Sequence, residues 1–487
     1  MKKILLSFAL VAFFGLSQAF GQQRYLDEVF TNVDVTRDII YQANISVLTG
    51  TPQLDTFRLD FYEPQGDTST ARPLILVAHT GSFLPPPING QCTGVRQDWT
   101  VEMLCTMLAK RGFVAAAFSY RQGWNPASTV QEERTGTLLN AAYRGIQDGF
   151  TAVRFFRTNS ATYGIDVNRV TMGGVGTGGY LSLGCTFLSD YDEISLAKFI
   201  DPNTLTSFVD TMLSGDIEGK LNRTLQVGNY VNENSEIQFA FNMGGAVGDS
   251  SWIEAGEGPM VSFHVPSDPF APYGFGAVIV PTTQEFVVNV SGSQGVQSRN
   301  SRLGNNNSFN SATYNDPYTT AANAVNGGID GLFPFNRPGV ESGPWEYFDS
   351  TNCPSQNVAA SLQTNPDMSI AKATAYLDTI VNYLSPRAVC ALGLPGCVLT
   401  ANEDELDAGS VSVFPNPTAG NLYVRSTISG NNIVGVEVLD LAGRSIFHEQ
   451  GLKVQEYTLA SEEMTSGLYF VRVSTRKGTI TKKVVFE

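Results

Sequence analysis

Histidine is nearly absent: the 487 residues hold three, His79, His264 and His448. That supply excludes histidine-built metal centres and leaves acid–base chemistry few histidines to use. No Cys-x-x-Cys pair and no His/Cys cluster has zinc spacing, and no Asp/Asn run has EF-type calcium spacing, so no metal and no cofactor is expected. Basic residues are also short, 31 against 46 acidic, for a net charge of −15. Such a chain gains little from counterion release, which argues against nucleic-acid partners. No apolar run exceeds the 13 residues at 4–16, too few for a comfortable transmembrane segment. Hydrophobic residues are 42% and charged ones 16%, which excludes a disordered chain and a collagen-like fibre.

What is present is length enough for two or three domains and 47 glycines, a sign of many turns. Residues 1–21 have the pattern of a signal peptide: Lys2 and Lys3, the apolar run, and small-x-small sites at Ser17-Gln18-Ala19 and Ala19-Phe20-Gly21. Six cysteines then enter an oxidising compartment. Cys390 with Cys397, and Cys92 with Cys105, are near enough in sequence to pair. Cys185 lies in an apolar run and reads as a buried thiol.

Composition breaks at an acidic linker, residues 398–408, containing Glu403-Asp404-Glu405. Residues 409–487 then alternate in short strands: Val411-Ser412-Val413-Phe414, Val436-Glu437-Val438-Leu439 and Leu468-Tyr469-Phe470-Val471-Arg472-Val473. Turns of Gly, Pro and Asn separate them, which argues a small β-sandwich. The Phe414-Pro415-Asn416-Pro417-Thr418 box, the Asp440 to Arg444 turn and the basic end at Lys482-Lys483 resemble the type A C-terminal sorting domain of the Bacteroidota type IX secretion system. The resemblance implies handling by the type IX machinery, transport across the outer membrane, and release or attachment at the cell surface.

Residues 22–397 alternate strand-like and helix-like segments, the pattern of an α/β fold with a mostly parallel sheet. Strands are expected at 56–64, 74–78, 113–118, 170–174, 239–241, 260–263 and 286–290, and helices at 98–111, 138–157, 180–188 and 368–384. Inserts fall at about 190–235 and 291–350. In the first, Phe199, Leu205, Phe208, Val209 and Met212 suggest a cap; in the second, Phe333, Phe335, Trp345, Tyr347 and Phe348 suit either sugar stacking or a small core of their own.

Asp60-Phe61-Tyr62-Glu63-Pro64, His79-Thr80-Gly81-Ser82-Phe83, Ser119-Tyr120-Arg121 and the approach Tyr163 to Val170, in that order, resemble the esterase and lipase branch of the α/β-hydrolase superfamily. The resemblance implies a nucleophile elbow, an oxyanion loop at His79, Thr80, Gly81 and Ser82 completed by Thr177 after the elbow, and an orienting acid at Asp268.

A serine esterase needs a serine on a strained turn, a histidine base, a carboxylate and backbone N–H donors. Where Gly-x-Ser-x-Gly should stand, the chain reads Gly174-Val175-Gly176-Thr177-Gly178. Gly176 has no side chain to attack with. Thr177 as an off-register nucleophile puts Val175 where the turn is tight. Gly174, Gly176 and Gly179 also satisfy a dinucleotide fingerprint, but the flanks are hydrolase-like. No histidine follows the strand at 286–290. His79 belongs to the oxyanion loop, His264 is expected as a packed, hydrogen-bonded residue, and His448 lies in the sorting domain. The expectation is a pseudo-esterase that binds a carbohydrate, ester or carboxylate ligand. The alternatives are an active esterase with a non-standard site, and a purely structural surface protein.

Overall fold

Leu74-Ile75-Leu76-Val77-Ala78 is apolar throughout, and a strand must be covered on both faces to hold such a run. The computed structural model describes residues 22–397 except 87, 281–283 and 311, and residues 409–487 except 429, 441–444, 461–463 and 476–477. The signal segment 1–21, the linker 398–408 and the turn at 441–444 lie outside the described residues. Two compact units divide near residue 397.

The first unit holds eleven described strands: β1 (Val33–Ser46), β2 (Gln53–Pro64), β3 (Arg72–Ala78), β4 (Val114–Phe118), β5 (Ile165–Val175), β6 (Phe239–Met243), β7 (Ala246–Val247), β8 (Met260–His264), β9 (Phe275–Ile279), β10 (Phe286–Gly292) and β11 (Leu332–Pro334). Eight form one sheet in the order β1-β2-β4-β3-β5-β6-β8-β11. β2 runs antiparallel to both its neighbours, and all pairings from β4 to β11 are parallel. Every residue of β3, β4, β6 and β8 is buried. The helices Trp99–Lys110, Gln131–Thr158, Thr177–Phe187 and Ile370–Ala391 flank this sheet. The order and directions are those of an α/β-hydrolase.

Two expectations about the sheet need correction. The run at 286–290 is not in it: β10 pairs antiparallel with β7 and β9 in a separate three-stranded sheet. The eighth strand is β11, inside the segment read as an insert at 291–350. The aromatic residues in and beyond it are core, with Phe333, Phe335, Trp345 and Phe348 at most 8% exposed, and of these only Trp345 reaches the cavity described below. The segment 190–235 is mostly irregular. Phe199 and Val209 are buried, but Leu205 and Met212 are exposed by 79% and 72%, so these five residues do not form one apolar face.

That segment is fastened by a buried ion pair. Arg121 and Asp148 are wholly buried and meet at 2.9 Å. Arg121 also donates to Leu225 O and Gln226 Oε1 of the insert, to Asn44 Oδ1 and to Gln147 Oε1. A buried guanidinium needs its donors satisfied, and the insert supplies two of the acceptors.

The disulfides are Cys92–Cys353 and Cys390–Cys397. The expected Cys92–Cys105 pairing does not form, because Cys105 lies on the buried face of Trp99–Lys110 as a free thiol. Cys185 is a buried free thiol as well.

The second unit is a β-sandwich of antiparallel sheets. One has β12 (Val411–Phe414), β13 (Leu422–Ser426) and β16 (Glu456–Leu459), in the order β12-β13-β16. The other has β14 (Ile433–Leu439), β15 (Ser445–Val454), β17 (Gly467–Thr475) and β18 (Gly478–Phe486), in the order β15-β14-β17-β18. Alternate residues point inward, so Val436, Val438, Val471, Val473 and Val484 make the core.

Candidate functional site

β5 ends at Val175 and the helix Thr177–Phe187 starts at once. Gly176 between them has φ +53° and ψ −113°, a left-handed turn of the kind that lifts a nucleophile above the sheet. The flanking glycines make this turn fit. A Cβ on Gly174 would strike Gly178 O, and one on Gly178 would strike Ala78 O. The elbow is therefore kept in backbone form.

The space above it is taken. A Cβ added to Gly176 would overlap the Thr80 hydroxyl and lie 3.1 Å from Thr80 Cβ. The Thr80 side chain fills the volume a side chain at 176 would need.

The loop itself is strained: Gly81, Ser82 and Phe83 have φ of +124°, +54° and +54°. His79 braces it from beneath. The buried imidazole has Nδ1 2.6 Å from Thr80 O and stacks on Tyr120, whose hydroxyl donates to His79 O. Burial pulls the His79 pKa down to about 4. Thr177 fastens the other side, its hydroxyl accepting from Ser82 N–H at 2.6 Å. The Ser82 N–H is thus already engaged.

His264 ends β8 and is wholly buried. Its Nδ1 is 2.8 Å from Ser293 Oγ and its Nε2 3.1 Å from Ala271 O, and burial lowers its pKa to about 4. Asp268 follows in the next turn, where Oδ1 accepts from the N–H groups of Phe270 and Ala271. Burial raises its carboxyl to about 7.

Sequence reasoning missed Glu346. It lies in the segment that follows β11, the eighth strand of the sheet. Its backbone is pinned, Glu346 N donating to Gly343 O and Asn365 Nδ2 to Glu346 O. Among the described residues nothing hydrogen-bonds its carboxylate. Burial, then the charges of Asp98 and Asp268, raise that group to about 8. Asp98 is itself raised to about 7 by burial. The available signal was Trp345-Glu346-Tyr347, an acid inside an aromatic run, beyond a strand too short to recognise.

Thr80, Gly176, Thr177, Asp268 and Glu346 line one cavity of about 200 Å³. The rest of its wall is mainly apolar, with Phe83, Trp124, Leu138, Val209, Trp252 and Val288 among the residues. Cys92–Cys353 ties the loop after Phe83 to the segment that follows Glu346. Such a cavity can hold an apolar body against two carboxyl groups and a hydroxyl. At position 176 no side chain is present to form an acyl-enzyme.

Residues 412–487 match the secretion system C-terminal sorting domain. No curated protein matches the chain. Among solved structures, the chain is similar to a thermophilic esterase of Thermogutta terrifontis. For the propionate-bound form the identity is 15%, the coverage 70% of this chain and 93% of that one, and the TM-score 0.36. For the form phosphorylated by paraoxon these are 16%, 68%, 91% and 0.35. The C-terminal unit is accordingly a type IX sorting domain, which directs secretion and surface attachment. Among the described residues no helix is long and apolar enough to cross a membrane.

Proposed function

We propose that this exported α/β-hydrolase-fold protein is a pseudo-esterase, a surface binding protein that keeps the hydrolase cavity without its catalytic groups. The observation that carries this reading is the Thr80 side chain seated in the nucleophile's space above Gly176. Two departures reinforce each other there: the serine is gone, and its room is filled. The position after the eighth strand offers Glu346 instead of histidine, a base that burial keeps largely protonated near neutral pH. The mainly apolar wall favours a ligand with an apolar body over a carbohydrate.

The test is hydrolysis of short-chain p-nitrophenyl esters. Wild type is expected at background. Gly176→Ser alone should also be silent, whereas Thr80→Gly/Gly176→Ser/Glu346→His restores room, nucleophile and base beside Asp268 and should turn over ester. Wild-type turnover that Asp268→Ala abolishes would sink the proposal. One observation supports an esterase as second reading: the Thr80 hydroxyl stands at the elbow, in the cavity that the two carboxyls also line. Under that reading wild type is active and Thr80→Val is not.

A further inference from the structure

The charge of the cavity wall narrows the ligand. Among the described lining residues Asp268 and Glu346 are acids, and none is Lys, Arg or His. Asp98 adds a third acid that acts on Glu346. Asp268 spends Oδ1 on backbone N–H groups, and Oδ2 is its atom nearest the open side of Gly244. The Glu346 side chain is partly exposed, and its carboxylate accepts no hydrogen bond from any described residue. A carboxylate facing a mainly apolar cavity without a donor is costly, so a ligand that supplies donors gains from both acids. At a pH where these acids are ionised, a carboxylate ligand meets like charges instead. Trp124, Trp252, Phe83 and Tyr180 offer aromatic faces on the same wall, which suit a cation with an apolar body. The net charge of −15 draws cations and repels anions at longer range.

We infer that the cavity binds an apolar primary amine, its ammonium head between Asp268 and Glu346 and its hydrocarbon body along the apolar wall. This rests on the binding-protein reading and names its ligand class. It replaces the carboxylate and sugar expected from sequence with a ligand of opposite charge.

Calorimetric titration of the full chain at pH 8 with n-octylammonium, n-octanol and n-octanoate tests it. The ammonium should bind about tenfold or more tighter than the alcohol, the gain of a charge-assisted hydrogen bond, and octanoate weakest. Glu346→Gln and Asp268→Asn keep side-chain shape, and each should cut the ammonium-to-alcohol ratio about tenfold; a melt of each variant reports folding. Octanol binding without preference for the ammonium, or a preference unchanged in both variants, overturns the amine assignment and leaves the binding reading standing. Tight octanoate binding also overturns it. No binding of any of the three removes the binding reading as well.

Discussion

Thr80 and Gly176 divide between them a volume that a hydrolase gives to its serine. Restoring the serine alone forces its Cβ against the Thr80 hydroxyl. Overpacking and a left-handed non-glycine residue together cost about 2–4 kcal/mol. Gly176→Ser should therefore lower stability in chemical denaturation, and adding Thr80→Gly should recover part of the loss. Additive losses would mean that the two residues do not share that space. Proton binding is the other residue-scale consequence. Folding raises Asp98 and Asp268 to about 7, and Glu346 and Glu257 to about 8, so the folded chain holds protons the unfolded chain releases. Stability contributed this way is lost as pH rises through those values. His79 and His264 are lowered to about 4, so their contribution rises with pH and is complete near the unfolded histidine value of about 6.5. Between pH 6.5 and 8 the carboxyls act alone, and the melting temperature should fall. Glu346→Gln should flatten that slope; a rising melting temperature across the window would contradict it.

At the scale of elements, the buried ion pair gives the clearest expectation. Asp148→Ala leaves Arg121 charged and fully enclosed, and should cost about 3–5 kcal/mol by denaturant unfolding. A loss under 1 kcal/mol would show that water reaches the site. Elements also differ in how readily sequence reveals them. β3 and β4 are legible because strands covered on both faces become unbroken apolar runs. The elbow is legible because Gly174 and Gly178 are fixed by steric need, whatever stands between them. β10 misleads because its Val-rich run is as apolar as a central strand, while tertiary partners decide which sheet it joins. β11 is three residues ending in proline, too short to show periodicity, and without it Glu346 has no visible place. His79 and Asp268 could be found from motifs beside strands; Glu346 is defined only by a strand order that folding creates.

For the whole molecule, Cys92–Cys353 is the covalent link across the cavity. In the chain-entropy account, closing so long a span stabilises the folded unit by about 5 kcal/mol, more than the short Cys390–Cys397 loop can. Cys92→Ser/Cys353→Ser should lower the melting temperature by more than Cys390→Ser/Cys397→Ser does. It should also weaken alkyl-probe binding, since the rim carrying Glu346 loses its tie; equal losses from both pairs would assign the bridge no special part. Proximity in sequence points to Cys105, whereas the folded path brings Cys92 to Cys353.

The same bridge sets a clock. Its two sulfurs are made at opposite ends of the hydrolase unit, and β11 and Glu346 arrive only with the later one. No chain ending before Cys353 can present a finished cavity. The protein therefore becomes competent to hold a ligand only after nearly all of its first unit is in place.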